Sequence, residues 1–167
     1  MSFSQLIKDR YSVRSFAQTA ISADDKAAIL EAGRVAPTAC NYQPQRFHVF
    51  ETAEDLQKLD LCSPCRYGAP YAILICYDKS VCWSQPDGSN SGSIDASIAT
   101  THMMLQAADL GLGSIWVGMF DAAKLAAEFA LPENIVPVAL LPLGYPAEGT
   151  EPFALHYQRG ALDSFLV

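Results

Sequence analysis

The chain has 167 residues, half of them hydrophobic, and its 18 acids against 11 bases give a net charge of −7. That length suits one domain with a sizeable core, while the acidic balance excludes a counterion-releasing nucleic-acid surface. No run of about 18 apolar residues occurs to span a membrane, and MSFSQLIKDR lacks the apolar core of a secretion signal, so a cytoplasmic protein is expected.

The first informative stretch is RYSVRSF (10–16). In an extended segment Arg10, Ser12 and Arg14 share one face, so two guanidiniums and a hydroxyl point the same way, an arrangement suited to a phosphate. Salt bridges to Asp9 or Asp24 on a solvated face are the plain alternative. Ser22 opens a capping box, and Ala28, Ala32 and Val35 recur at helical spacing until Pro37 stops the helix. APTACNYQPQRF (36–47) is a polar loop stiffened by Pro37 and Pro44. FHVFE (47–51) reads as a strand, and Thr52 caps a short helix in AEDLQKL. YAILICY (71–77) is a continuous apolar run of strand length, expected to be a central buried strand.

From Trp83 to Gly92 the chain is a polar loop of turn formers. SIDASIATTHMMLQAADLG (93–111) is the longest helix candidate, with Ile94, Ile98, Leu105 and Ala108 on one face and Gly111 at its end. SIWVG (114–118) reads as a short strand, and Asp121 caps a helix in DAAKLAAEFA. IVPVALLPLGYP (135–146) reads as a strand interrupted by Pro137 and Pro142, hence irregular or near an edge. The last 20 or so residues, from GTEPFALHYQ, carry no period and are expected to extend over a surface. Strands and helices do not alternate as in a doubly wound sheet. The expected architecture is a single α+β domain, helices on a mainly antiparallel or mixed sheet. The apolar content and a mean hydropathy of +0.12 favour surface kept for a partner subunit.

Several chemistries are excluded. GLGSIW (111–116) puts Trp116 where a dinucleotide fingerprint needs its third glycine, and it runs from helix to strand. GSNSG (88–92) has no serine at its centre. Five cysteines form one C-x-x-C, Cys62 and Cys65, in a loop with Pro64 and Gly68; without a second ligand pair they read as free thiols. His102 stands alone on its helix and reads as a packed or interface histidine.

Taken together, R-x-S-x-R-x-F (10–16), A-P-T-A-x-N-x-Q-P (36–44) and G-L-G-S-x-W-x-G (111–118) resemble, in order and spacing, the short form of the nitroreductase family. The resemblance implies an α+β homodimer with two FMN sites at the subunit interface. It implies that Arg10, Tyr11, Ser12 and Arg14 hold the phosphate or ribityl chain. Pro37, Thr38, Ala39 and Asn41 would approach the isoalloxazine ring from the partner subunit, and Trp116, Val117, Gly118 and Met119 would lie over its other edge. Family members often place a Lys or Arg pair soon after Gly-Tyr-Pro. Here that pair is missing, so Arg159 is assigned to the phosphate, with His156 assisting and Arg66 a candidate for ring contacts. The implied activity is FMN-dependent oxidation of NADH or NADPH with reduction of nitroaromatic, quinone or similar acceptors, in ping-pong order through flavin N5. A non-catalytic flavin-binding or flavin-storage protein, and an interaction scaffold, are the competing readings.

Overall fold

A computed structural model describes residues 2–167. Ser2 opens α1 (Phe3–Asp9), its side chain accepting from the amide of Gln5, and buries Leu6 against the body. This helix was not among the sequence expectations. Its signal is the Ser-x-x-Gln of a capping box, in a segment too short to show a period. The caps that were expected are present: Ser22 accepts from Asp25 at the start of α2 (Ala23–Arg34), and Thr52 from Asp55 at α3 (Ala53–Cys62). Asp121 accepts from Lys124 at α5 (Ala122–Glu128). The long helix, α4 (Gly92–Asp109), ends before Gly111, whose φ of 78° reverses the chain.

The sheet holds β1 (Gln45–Phe50), β2 (Tyr71–Asp78), β3 (Gly113–Ser114) and β4 (Ile135–Gly144) in the antiparallel order β1-β2-β4-β3. Side chains alternate across it, and both faces are buried. Ile73, Ile75, Leu141 and Leu143 pack with Ile29 of α2 and Ala96, Met103 and Ala107 of α4. Ala72, Leu74, Cys76 and Leu140 pack with Phe50, Leu59, Leu125, Val13 and Phe16. Burial on both faces is why β2 reads as an unbroken apolar run. Helix α2 sits close on α4 at Gly33, where an added Cβ would meet Met103 and Phe47 at under 3 Å.

One strand expectation is corrected and another holds in part. SIWVG is not one strand: β3 stops at Ser114, beyond which Ile115 donates to the Pro142 carbonyl and Val117 bridges to Leu140. β4 runs ten residues between β2 and β3, so it is not the edge of the sheet, but it carries the irregularity the sequence predicts: its register with β2 shifts at Ile75 and Cys76, opposite Pro137. Pro142 costs the β2 ladder no bond, because its carbonyl faces Ile115, which donates to it at 3.3 Å. Leu140 donates to Val117, away from β2, so Pro142, two residues on, also turns its nitrogen away from β2. Pro137 faces the register shift at Ile75 and Cys76, where the ladder is already interrupted.

The segment after α1 is stitched onto this sheet. Ser12 bridges Ser114 in parallel, Val13 donates to the Ser114 carbonyl at 3.0 Å, and Ala17 donates to that of Tyr145 at 2.9 Å. Beyond Thr150 the chain forms two 3-10 turns, Ala154–Tyr157 and Leu162–Phe165, with Phe153, Leu155, Tyr157, Phe165 and Leu166 exposed. No helix among the described residues is long and apolar enough to cross a membrane.

At the end of β2, Asp78 accepts from the amide and hydroxyl of Ser80 and from Asn134 at 2.8 Å, with Arg46 at 3.5 Å. The hydroxyl of Ser80 first, then Asn134, hold its carboxyl down at about 2. A depressed carboxylate adds stability that is full above its unfolded value of about 3.9 and is lost as pH falls through the folded value. Asp78→Asn should therefore lower the urea midpoint at pH 7, with the gap to wild type closing between about pH 4 and pH 2. A gap that stays constant over that range contradicts this.

Candidate functional site

Arg10 caps α1 in an extended conformation, and the chain stays extended where Ser12 joins the sheet edge. Val13 points into the core, which leaves Arg10, Ser12 and Arg14 on the opposite side, as alternation requires; the alternation ends by Phe16, which is buried as well. They line one cavity of about 220 Å3 with Tyr11 and, from the C-terminal segment, Phe153, His156 and Arg159.

The C-terminal segment is tied over this cavity by its side chains. The Tyr11 hydroxyl donates to the Thr150 carbonyl at 3.2 Å, and its ring meets His156 edge-on at 6.3 Å. The Arg14 guanidinium lies over the Phe153 ring, 4.7 Å from its centre, a cation–π contact. Arg159 donates to the carbonyls of Leu155 and Gln158 in its own turn. Phe153 is a residue that sequence reading missed, because nothing in an aperiodic tail marks one aromatic above another.

The electrostatics distinguish this cavity. The chain has six arginines. Arg34, Arg46 and Arg66 are paired with Glu31, Asp78 and Asp60. Among the described residues the other three, Arg10, Arg14 and Arg159, have no carboxylate in ion-pair range, and all three line the cavity. The salt bridges to Asp9 or Asp24 that the sequence left open do not form. Asp9 instead accepts from Gln5. Burial, and then the neighbouring charge of Arg159, lower the pKa of Arg10 from its ordinary value. Like charges facing one small cavity repel, so an anion between them is favoured.

The remaining expected residues lie elsewhere in the protomer. Pro37, Thr38, Ala39 and Asn41 form the turn between α2 and β1, and none of them lines the arginine cavity. Cys40, Asn41 and Gln43 have φ of 50°, 56° and 52°, left-handed conformations that cost non-glycine residues about 1–3 kcal/mol each where sparsely populated. The turn is held by Thr38, which accepts from the amide of Gln43 at 3.1 Å, and by Asp95, which accepts from that of Ala39 at 2.9 Å. Trp116, Val117, Gly118 and Met119 run from β3 towards α5. Val117 is buried and exchanges both backbone bonds with Leu140, whereas Trp116 and Met119 are exposed. Gly118 lies against the Trp116 ring, which an added Cβ would meet at 3.2 Å.

Arg66 is not free for ring contacts. It grips Asp60 with two nitrogens and donates to the Ala69 carbonyl. Cys62 and Cys65 are buried free thiols, and burial pushes the Cys62 thiol up. His102 lies half-buried on α4, facing an open groove with Phe3, Val35 and Leu105.

The model of the nitroreductase family matches residues 7–63 and 61–145. A protein of Methanothermobacter thermautotrophicus, named as an NADH dehydrogenase/NAD(P)H nitroreductase, is 32% identical over 158 residues, covering 86% of this chain and 77% of its own. The crystal structure of a nitroreductase family protein from Clostridium difficile 630 is 39% identical, with a TM-score of 0.94 over 100% of this chain and 98% of its own. A crystal structure described as a nitroreductase with bound FMN, from Bacteroides fragilis, is 24% identical over 98% of this chain and 96% of its own. Its TM-score of 0.78 is a likeness of fold.

An anion that bridges the three unpaired arginines stabilises the folded state by mass action. Inorganic phosphate should raise the thermal midpoint of the flavin-free protein, and Arg10→Ala or Arg159→Ala should remove most of that dependence. A wild-type midpoint indifferent to phosphate contradicts the assignment.

Proposed function

The chain belongs to the nitroreductase family, and on that premise we propose that it is an FMN-dependent NAD(P)H oxidoreductase working as a homodimer. The observation that carries this reading is the convergence of Arg10, Arg14 and Arg159, none with a carboxylate partner among the described residues, on one cavity. FMN ends in a phosphate dianion, which charge-assisted bonds from guanidiniums suit; a flavin without the phosphate leaves the cluster uncompensated. The family relatives that carry an NAD(P)H nitroreductase name and a bound FMN support the same choice.

FMN, when bound, would supply the redox chemistry between NADH or NADPH and a nitroaromatic, quinone or similar electrophile, and one slot shared by donor and acceptor gives ping-pong order. The chain's own groups bind and orient. Arg10, Arg14 and Arg159 hold the phosphate, with the Ser12 hydroxyl as a further donor and His156 beside it. Phe153 backs the Arg14 guanidinium and Tyr11 ties the C-terminal segment across the cavity, so the charges stay aimed inward. Pro37, Thr38, Ala39 and Asn41 of a second copy approach the ring, and the Trp116–Met119 segment offers backbone donors at its other edge. Exposed Trp116 and Met119 border the slot and keep water from it. No side chain acts as nucleophile.

The homodimer is supported by apolar surface that a lone chain leaves in water. Phe3 and Ile7 on α1, Val35 at the C-cap of α2 and Ile94 on α4 are exposed, and a groove of about 650 Å3 runs between these helices. Five free cysteines fit a reducing compartment, so we place the enzyme in the cytoplasm.

The purified protein should be yellow, sediment as a dimer, and bleach near 450 nm on anaerobic addition of NADH or NADPH. Flavin that stays oxidised under excess donor supports a storage protein and overturns the catalytic reading. Arg10→Ala and Arg14→Ala should each weaken FMN binding by about 1–3 kcal/mol, read by flavin fluorescence titration. Unchanged affinity in both variants removes the phosphate assignment.

A further inference from the structure

Two acidic side chains among the described residues are buried: Asp78, whose partners close the end of β2, and Asp95, 2% exposed in the first turn of α4. Burying a carboxylate is unfavourable unless each oxygen is satisfied. Asp95 spends its two oxygens unusually. One accepts from the backbone amide of Ala39 at 2.9 Å, across to the 37–43 turn. The other accepts from the Ser91 hydroxyl at 2.7 Å. Ser91 is the N-cap of α4, yet its side chain caps nothing in its own helix and is committed to Asp95 instead. A hydroxyl that ordinarily stabilises a helix end is thus used to orient a carboxylate towards a turn 56 positions away.

That turn is also where backbone strain gathers. Among the described residues, three of the five non-glycine residues with positive φ, Cys40, Asn41 and Gln43, lie in it. Strained turns persist only where their surroundings over-determine them. The Ala39 amide immediately precedes the strained residues, so its bond to a buried, helix-anchored carboxylate fixes the turn from the rigid side.

We propose that Asp95 is a positioning residue for the flavin ring: it holds the 37–43 turn in its left-handed shape through the Ala39 amide, so that Thr38, Ala39 and Asn41 meet the cofactor in the second subunit. This rests on the function proposed above. Asp95 touches no reacting atom; it acts only through the turn. The carboxylate is needed as an acceptor rather than as a charge, so the isosteric amide should serve in its place.

The test compares Asp95→Ala, Asp95→Asn and Ser91→Ala with wild type in two measurements. Hydrogen exchange on the flavin-free protein reads the Ala39 amide directly. It should quicken tenfold or more in Asp95→Ala, less in Ser91→Ala, and recover towards wild type in Asp95→Asn. The visible absorption and reduction potential of bound FMN should shift in Asp95→Ala and return in Asp95→Asn, while the salt dependence of FMN binding, which reports the arginines, stays as in wild type. Unchanged exchange at Ala39 in Asp95→Ala overturns the proposal whatever the protein binds. So does faster exchange with an unaltered flavin spectrum and potential, which makes the bond structural only. If Asp95→Ala does not fold, Ser91→Ala decides by the same two readouts. Wild type that takes up no FMN overturns the functional reading instead, and the exchange arm tells the two failures apart.

Discussion

Three guanidiniums brought together without a carboxylate are the constraint on which the rest of this structure turns. The protein carries a net charge of −7, so acids were available to neutralise them, and three other arginines are neutralised that way. Arg10, Arg14 and Arg159 instead line one small cavity, and burial, then the charge of Arg159, lowers the pKa of Arg10. Such a cluster is unfavourable in isolation and becomes favourable when a multiply charged anion enters, which is the differential that converts a strained surface into a binding site.

The scaffold exists to hold that cluster in place. Ser12 and Val13 are bonded to Ser114 at the open side of the sheet, and the 15–17 stretch to residues 145–147. The arginine segment is therefore wedged between the two chain passages that leave β3 and β4. Val13 and Phe16 lock it from below. From above, Tyr11, Phe153 and His156 bring the C-terminal segment, and Arg159 with it, across the cavity. The residues expected to meet the ring lie on two other parts of the protomer, the 37–43 turn and the 116–119 segment. The exposed apolar faces of α1, α2 and α4 are what a second copy would cover to bring the first of these to the cofactor.

Much of this was legible before any coordinates. Ser22, Thr52 and Asp121 announced helix starts because capping is local chemistry, and YAILICY announced a buried strand because burial on both faces leaves no polar alternation. Arg10, Ser12 and Arg14 announced a shared face because strand geometry has period two. What failed depended on tertiary partners. The prolines of β4 mark the irregularity at Pro137 but not the strand's place between β2 and β3, which is set by its neighbours and not by its own residues. Helix α1 was too short to show a period, and its capping box passed unremarked. Arg66 looked available until Asp60 was seen to occupy it. Asp95 looked like any acid near a helix start, and nothing in the sequence says that a turn 56 residues earlier reaches it.

The central claim is that the arginine cluster exists for a phosphate carried on a flavin. Isothermal titration of the flavin-free protein with FMN and with riboflavin, at two salt concentrations, tests it most directly. The account predicts one FMN per subunit, riboflavin weaker by at least an order of magnitude, and an FMN affinity that falls with salt while that of riboflavin does not. Equal affinity for the two flavins would contradict it.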